Sequence, residues 1–477
     1  MKLFFILIFC LFFSSFIIGQ QKILSIENGD LSVGVSDKEI FSLSNKETNE
    51  IVLLVLDNKK LYSVLFDENF KQLGALKTDS FRKKYNYLKG YSITNENYNL
   101  VFSNFSEKRY EIISLNFNTG STSTKVLDLV IKGEEFIETI SYNNRFFILT
   151  TKKNSDVLTI RELANNSFEK KEINFDGEIK LYYLLHERND EENIYQISQA
   201  SIIKPIDVST LTSLNLNTIE LTSKLNKIYT RGNSIILSFD NINAYTLLYN
   251  IDLENFTLSK RKVAKEGIIG KNKKSNSLIF EDVIFQIKSS KEKMVFTIKD
   301  FKTGLLKQKY EVTKDVPISI KNSPVIQVAF DKTIIRFKNK KDGELTSKFL
   351  KVISQYNLGI SVYRLNDLYQ LKIGGSKDIK ASDTGIMMGN ASSLSPPLML
   401  VNNIQGSYSI FIYSIFDSHF NHFQGEKIET IFDKISEFKD SIRITEAEIS
   451  FSNNGKYYFG YFDIQKQDYN IYQFTNN

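Results

Sequence analysis

The chain has 477 residues, 42% of them apolar and 24% charged, with a formal net charge of +6. This balance excludes a disordered chain, and a weak basic excess scattered along the sequence excludes the dense footprint of a nucleic-acid binder. The single cysteine, Cys10, leaves everything after it without a thiol for a disulfide, a nucleophile or a metal ligand, and there is no tryptophan.

Residues 1–19 read as a signal peptide. Lys2 is the charged start, 3–13 is an unbroken apolar run, Ser14 and Ser15 follow, and Gly19 is a small residue suited to cleavage before Gln20. The run falls short of the roughly 20 apolar residues that span a bilayer. The expectation is cleavage, export to the periplasm or the cell exterior, and no transmembrane segment in the remainder.

KILSIEN (22–28) is a short strand stopped by Gly29 and Asp30. EIFSL, EIVLLVLD and KKLYSVLFDENF follow, rich in branched and aromatic residues and broken at hairpin spacing. No sustained 3.6-residue period occurs before residue 340. From Tyr98 a unit of three apolar runs begins: YNLVFSN, SEKRYEIISLNFNTG and STSTKVLDL. It returns as RFFILTTKK, DVLTIRELANNS and FEKKEINF, and again from Asn233 as NSIILSFDN, AYTLLYNIDLEN and FTLSKRKVA. A large apolar residue followed by a small polar one marks the second strand of each copy: Phe102-Ser103, Leu149-Thr150, Ile197-Ser198 and Leu237-Ser238, spaced 47, 48 and 40 residues apart. Val55-Leu56 and Phe285-Gln286 are looser echoes.

Four short strands in about 45 residues is the pattern of a propeller blade, in which twisted sheets bury their faces on one another and expose only short edges. The expected fold is an all-β propeller of seven or eight four-stranded blades, occupying 20–477 as one domain. Beyond residue 340, Leu345, Phe349, Leu350, Val352 and Ile353 predict a short helix over 345–356. Ile428, Ile431, Phe432 and Ile435 predict another over 426–438. Gly374-Gly375 reads as a turn, and 376–397, with Gly385, Gly389, Pro396 and Pro397, as a mobile loop or boundary.

Near the end, Phe451-Ser452-Asn453-Asn454-Gly455-Lys456 precedes the strand YYFGYFD. This resembles the F-S-x-D-G-K repeat of Tol-type translocation propellers, with Asn454 where that repeat has Asp. The resemblance covers about 449–474 and implies a secreted β-propeller repeat fold, not an activity. The final blade then has three strands of its own, so 23–26 is expected to pair with a C-terminal strand as its fourth.

Chemistry is sparse. His186 lies in LLHERNDEEN beside Glu187, Asp190, Glu191 and Glu192, which reads as a solvated hairpin tip rather than an oxygen-lined cation loop. In DSHFNH, His419 and His422 would lie on opposite faces of a strand, and only Asp417 and His419 would share one. Gly267 to Lys271 has its glycines too close together for a phosphate loop, and Asn272 stands where Ser or Thr would hold magnesium. No catalytic, cofactor or metal residue is assigned. N-x-S/T triplets occur at Asn104, Asn165, Asn255 and Asn390. The expected role is a monomeric binding or scaffolding module for a protein, peptide or glycan. The alternatives are a hydrolase or lyase with carboxylates and tyrosines in a central funnel, and a structural envelope protein.

Overall fold

The computed structural model describes residues 20–27, 38–57, 60–78, 84–94, 96–104, 106–129, 131–188, 202–205, 207–211, 217–267, 274–329, 332–334, 342–378, 407–442, 445–466 and 468–475. The expected leader lies outside them, as does nearly all of 376–397.

Strand β1 (Gln20–Glu27) is followed by β2 to β5 (Lys38–Ser44, Ile51–Asp57, Lys60–Phe66, Gln72–Thr78) and β6 to β9 (Tyr87–Thr94, Asn97–Ser103, Arg109–Asn116, Ser121–Asp128). Next come β10 to β13 (Glu134–Tyr142, Arg145–Lys152, Val157–Ala164, Ser167–Asn174), helix α1 (Leu181–Leu184), β14 (His186–Arg188), β15 (Ile202–Pro205), β16 (Val208–Leu211) and helix α2 (Ile219–Thr222). The chain continues through β17 to β20 (Asn226–Arg231, Ser234–Phe239, Tyr245–Asp252, Leu258–Ala264) and β21 to β24 (Lys274–Phe280, Val283–Ser289, Lys293–Asp300, Leu306–Thr313). It ends with β25 (Ile326–Ala329), β26 (Lys332–Ile334), helix α3 (Asp342–Ile353), β27 to β29 (Asn357–Leu365, Leu368–Asp378, Ser407–Phe416), helix α4 (Ile431–Ser441) and β30 to β32 (Thr445–Asn453, Lys456–Asp463, Asp468–Phe474).

Four sheets, β2 to β5, β6 to β9, β10 to β13 and β21 to β24, run in sequence order with antiparallel neighbours. β17 to β20 do the same and gain β16, parallel to β17. The last sheet is completed by the first strand: β1 pairs β32 from Gln20 opposite Phe474 to Glu27 opposite Asp468, as expected for 24–26, with Ile23 at a register shift between Lys22 and Leu24. β27 to β29 receive β25 and β26 from upstream, through β29. The fold class is all-β, of the β-propeller kind, with few helices. The second-strand markers fall where the repeat puts them: Phe102-Ser103 in β7, Leu149-Thr150 in β11, Leu237-Ser238 in β18, Val55-Leu56 in β3 and Phe285-Gln286 in β22. Ile197 lies outside the described residues.

The chain divides into two compact units. Of the described residues, one holds those from 20 to 126 together with 429–475, and the other holds those from 127 to 378 with 407–428. In the first, β3 reads IVLLVLD without alternation because both faces of its sheet are covered. Ile51, Leu53 and Val55 join Phe451, Tyr458 and Ile471 of the last sheet, while Val52, Leu54 and Leu56 join Leu100, Phe102 and Ile113 of the next. The outer face of β31 and β32 carries Phe459, Tyr461 and Phe474, and α4 covers it with Ile431 and Ile435. In the second unit, the sheet β10 to β13 shares Phe147, Leu149 and Ile160 with Ile228, Leu237 and Tyr249 of β17 to β19. The sheet β21 to β24 then packs Phe285, Phe296 and Ile298 with Ile360, Leu371 and Ile412 of β27 to β29.

One turn recurs that the repeat alignment did not use. At the end of the third strand an Asx side chain accepts backbone N–H groups from the turn that follows. Asp67 Oδ1 takes Asn69 and Lys71, and Asp252 Oδ1 takes Glu254 and Asn255. Asp300 Oδ1 takes Thr303, and Asn116 Oδ1 takes Thr119. Asp417 Oδ1 takes His419 and Asn421. In FDENF (66–70) and FDSHF (416–420) the last Phe adopts a positive φ, 62° and 64°. That conformation is costly for a residue with a side chain. Each ring is buried against its own and neighbouring strands: Phe70 on Phe66, Phe451 and Tyr458, and Phe420 on Phe285 and Tyr369.

Both predicted helices exist with shifted ends. α3 starts at Asp342 and stops at Ile353, short of 356. α4 starts at Ile431 because Thr430 caps it: its Oγ1 accepts the Asp433 N–H, and Asp433 reaches back to the Thr430 N–H. Ile428 is therefore outside the helix, where its backbone N–H and carbonyl bind the Gln370 amide. α1 and α2 are single turns, too short to produce a period. Gly374-Gly375 is not a turn but the middle of β28, paired with Phe411 and Ile410. A Cβ on Gly374 would lie 1.9 Å from the Ile410 carbonyl oxygen. The Asn454-Gly455 turn between β30 and β31 has φ 47° and 73°, which Asn and Gly tolerate best.

Candidate functional site

The richest polar constellation lies in the second unit, where β16 and α2 cross the starts of several strands. The open edge of a first strand is a free row of backbone donors and acceptors. Here β16 covers β17 in parallel, from Val208 opposite Asn226 to Leu211 opposite Tyr229. α2 follows, with Thr218 Oγ1 accepting the Leu221 N–H as its cap. It can sit directly on β27 because residue 359 is glycine: a Cβ there would lie 2.8 Å from Ile219 Cγ1. The strap is tied by side chains. Ser209 Oγ donates to the Leu221 carbonyl at 3.0 Å, and Ser409 Oγ donates to Glu220 while lying 3.0 Å from Ser376 Oγ. Lys224 Nζ stands 3.1 Å from Asp207 Oδ2 and 2.6 Å from Asp378 Oδ2.

Asn276 connects this strap to a fully buried charge cluster. Its Nδ2 donates to the carbonyls of Thr222 and Leu358, and its Oδ1 accepts from Lys227 Nζ. Lys227 Nζ also reaches Asp240 Oδ2 at 3.1 Å, and Lys265 Nζ reaches Asp240 Oδ1 at 3.0 Å. Thr246 Oγ1 donates to Oδ1 at 2.8 Å, and the Ser277 backbone N–H and hydroxyl donate to Oδ2 at 3.1 and 2.7 Å. Lys265 Nζ is itself surrounded by oxygens, with the Ile242 carbonyl at 2.9 Å, Ser275 Oγ at 3.0 Å and the Asp240 carbonyl at 3.2 Å.

Burial alone would raise the Asp240 carboxyl. The ammonium groups of Lys265 and Lys227 and the Ser277 hydroxyl outweigh it and hold the group well below the usual carboxylate range. Burial pushes both ammonium groups below the ordinary lysine value, and Asp240 opposes that shift. Lys224, only partly enclosed, goes the other way: burial lowers it, but Asp378 and Asp207 raise it further. Asp240, Lys227 and Lys265 are thus engaged by one another and by neutral donors and acceptors. The arrangement fixes three sheets against each other and can hold a geometry; its charged atoms face inward rather than toward a reactant.

The structure scatters the residues singled out from sequence. His186 is not on a solvated tip but buried: Nδ1 lies 2.6 Å from the Tyr182 carbonyl, Nε2 lies 3.1 Å from Glu135 Oε2, and the ring packs on Tyr182. Asp190, Glu191 and Glu192 lie outside the described residues. The DSHFNH segment is not a strand but the same Asx turn as at Asp67, so strand alternation does not set where His419 and His422 point. His419 hangs beside Ser418, while His422 Nε2 turns to Asn322 Oδ1 at 2.9 Å, its pKa lowered by burial. Gly267 is described, with φ 75°, but 268–272 are not.

Sequence reasoning missed Asp240, Lys227 and Lys265. For Lys227 and Asp240 the signal was a charge within or at the end of a buried run, whereas Lys265 follows the mostly exposed strand β20 and carried none. Lys227 sits among Asn226, Ile228 and Tyr229, and Asp240 directly follows the marker strand ending in Phe239.

Among the described residues no helix is long and apolar enough to cross a membrane. No protein-family model matches the chain, and no curated protein matches it. Solved structures similar to it include prolyl oligopeptidase B from Galerina marginata, at TM-score 0.34 and 8% identity over 91% of this chain and 47% of that one. An oligogalacturonate lyase in complex with manganese gives TM-score 0.34 and 8% identity over 96% and 97%. The Nup133 β-propeller domain of Vanderwaltozyma polyspora gives TM-score 0.27 and 11% identity over 80% and 84%. The chain spans less than half the length of the Galerina protein. The fold rests on the sheets described above, and neither the activities nor the ligands of these proteins transfer to this chain.

Proposed function

We propose that this chain is exported and acts as a binding module for a protein, peptide or glycan. The observation that carries the reading is the strap of β16 and α2. It covers the open edge of β17 and packs on β27, and the charged groups beneath it are engaged with each other. What the second unit offers outward includes apolar side chains: Leu305 is 68% exposed, Leu306 47% and Phe423 45%. Gln308 Nε2 donates to Asn421 Oδ1 at 3.1 Å, so the turn leading to Phe423 lies along β24, which begins at Leu306. Export is supported by the 1–19 pattern of a charged start, an apolar run and a small residue before Gln20.

The test is to immobilise the exported chain and expose it to surface material from its own cells. The reading expects a saturable ligand that is recovered chemically unchanged. Its capture should fall at least tenfold in a Leu305→Asp, Leu306→Asp double variant that melts at the native temperature. Recovery of cleaved ligand in many-fold excess over the chain would contradict it.

A further inference from the structure

We infer that Asn165 and Asn255 are sites of N-linked glycosylation. The inference rests on the export reading above. Both begin N-x-S/T triplets, Asn165-Asn166-Ser167 and Asn255-Phe256-Thr257. The structure puts both at one kind of place, the hairpin between third and fourth strands of a sheet. Asn165 and Asn166 are the two turn residues between β12 and β13, with Ala164 paired to Ser167 on either side. Asn255 sits in the turn between β19 and β20, after the Asx cap of Asp252.

Both side chains are exposed. The two sheets pack on each other through Phe147, Ile160, Ile228 and Tyr249, so the two tips belong to adjacent sheets of one unit. Asn255 Oδ1 accepts the Thr257 N–H at 2.9 Å, so the turn engages the amide through its oxygen. Asn104 differs. Its Oδ1 accepts the N–H groups of Lys108 and Arg109, and its Nδ2 donates to Ser106 Oγ at 2.9 Å, so the folded loop uses the whole amide. Asn390 lies outside the described residues.

The donor is an oligosaccharide carried on a lipid pyrophosphate in the secretory compartment. Nδ2 of the asparagine attacks the anomeric carbon. The new C–N bond forms as the bond from that carbon to the pyrophosphate oxygen breaks. The lipid pyrophosphate leaves with the electron pair, and Nδ2 gives up one proton to a base of the transferase. A glycan at either tip projects from the end of a hairpin and displaces no packed side chain, so the fold accepts the modification.

The experiment is to produce the full-length chain, leader included, in a eukaryotic secretory cell line. Peptides of the secreted product are then mapped after glycan removal by an amidase that converts a glycosylated Asn to Asp. The expected result is conversion at Asn165 and Asn255, with one step of gel retardation lost in Asn165→Gln and another in Thr257→Ala. The second variant keeps Asn255 and the fold but breaks the triplet. Secretion of a chain unconverted at both positions would overturn the inference and leave export standing. A chain held in the cytosol with its leader attached would overturn the export reading and this inference with it.

Discussion

Asp240 shows how one residue can hold several strands. It is fully buried, and five donor groups from Lys227, Lys265, Thr246 and Ser277 converge on its carboxylate. Truncating one partner of such a cluster leaves an uncompensated charge, which costs about 3–5 kcal/mol. Lys227→Met is therefore expected to lower the denaturant midpoint sharply in urea unfolding of the second unit. The pH dependence follows from the same contacts. The folded carboxyl sits below its ordinary value of 3.8, so its stabilisation is complete above that value and is lost as pH falls toward the folded value. The wild-type acid-unfolding curve should steepen below about pH 4, and Asp240→Asn should remove that part of the slope while lowering the plateau. Gly374 is equally specific. Gly374→Ala drives a methyl into the Ile410 carbonyl and is expected to cost about 3 kcal/mol or more, read as a drop in melting temperature.

At the scale of elements, the Asx turn ending in a buried Phe joins local backbone to inter-sheet packing. Phe70 is held at positive φ by the Asp67 cap, and its ring fills space against Phe451 and Tyr458 of the last sheet. Phe70→Ala is expected to cost about 3–5 kcal/mol, whereas Asp67→Ala should cost about 1 kcal/mol, both from equilibrium unfolding. The strands were legible because apolar runs of four to nine residues, rich in branched and aromatic side chains and broken by Asn, Asp and Gly at hairpin spacing, favour strands over helices. The unbroken run of β3 and the marker pairs in β7, β11 and β18 located the second strands correctly. The single-turn helices α1 and α2 were not legible, since four residues cannot display a period. Gly374-Gly375 misled because glycine serves two needs, turns and close backbone approach, and only coordinates distinguish them. The charge cluster was hidden for a related reason: Lys227, Asp240 and Lys265 are far apart in sequence and meet only when β17, β18 and β20 align.

For the whole molecule, the decisive feature is the last sheet, in which the chain's first described strand lies beside its last. β1 pairs β32 along its length, and Ser25 Oγ donates to Asn470 Oδ1 at 3.1 Å across the pair. Removing residues 20–27 would expose the edge of β32 and should produce oligomers by size-exclusion chromatography. The direct measurement is a paired-cysteine cross-link, made clean because the sequence has no cysteine beyond Cys10. Ser25→Cys and Asn470→Cys stand opposite each other, and residues opposite in an antiparallel pair are close enough for a disulfide. The account expects the double variant, expressed without 1–19, to oxidise within one chain and migrate as a compact species that reductant reverses. A control with Ile26→Cys and Asn470→Cys, one residue out of register, should stay reduced. Failure of the first pair to close, or equal closure of both, would contradict the completion of the last blade by the first strand.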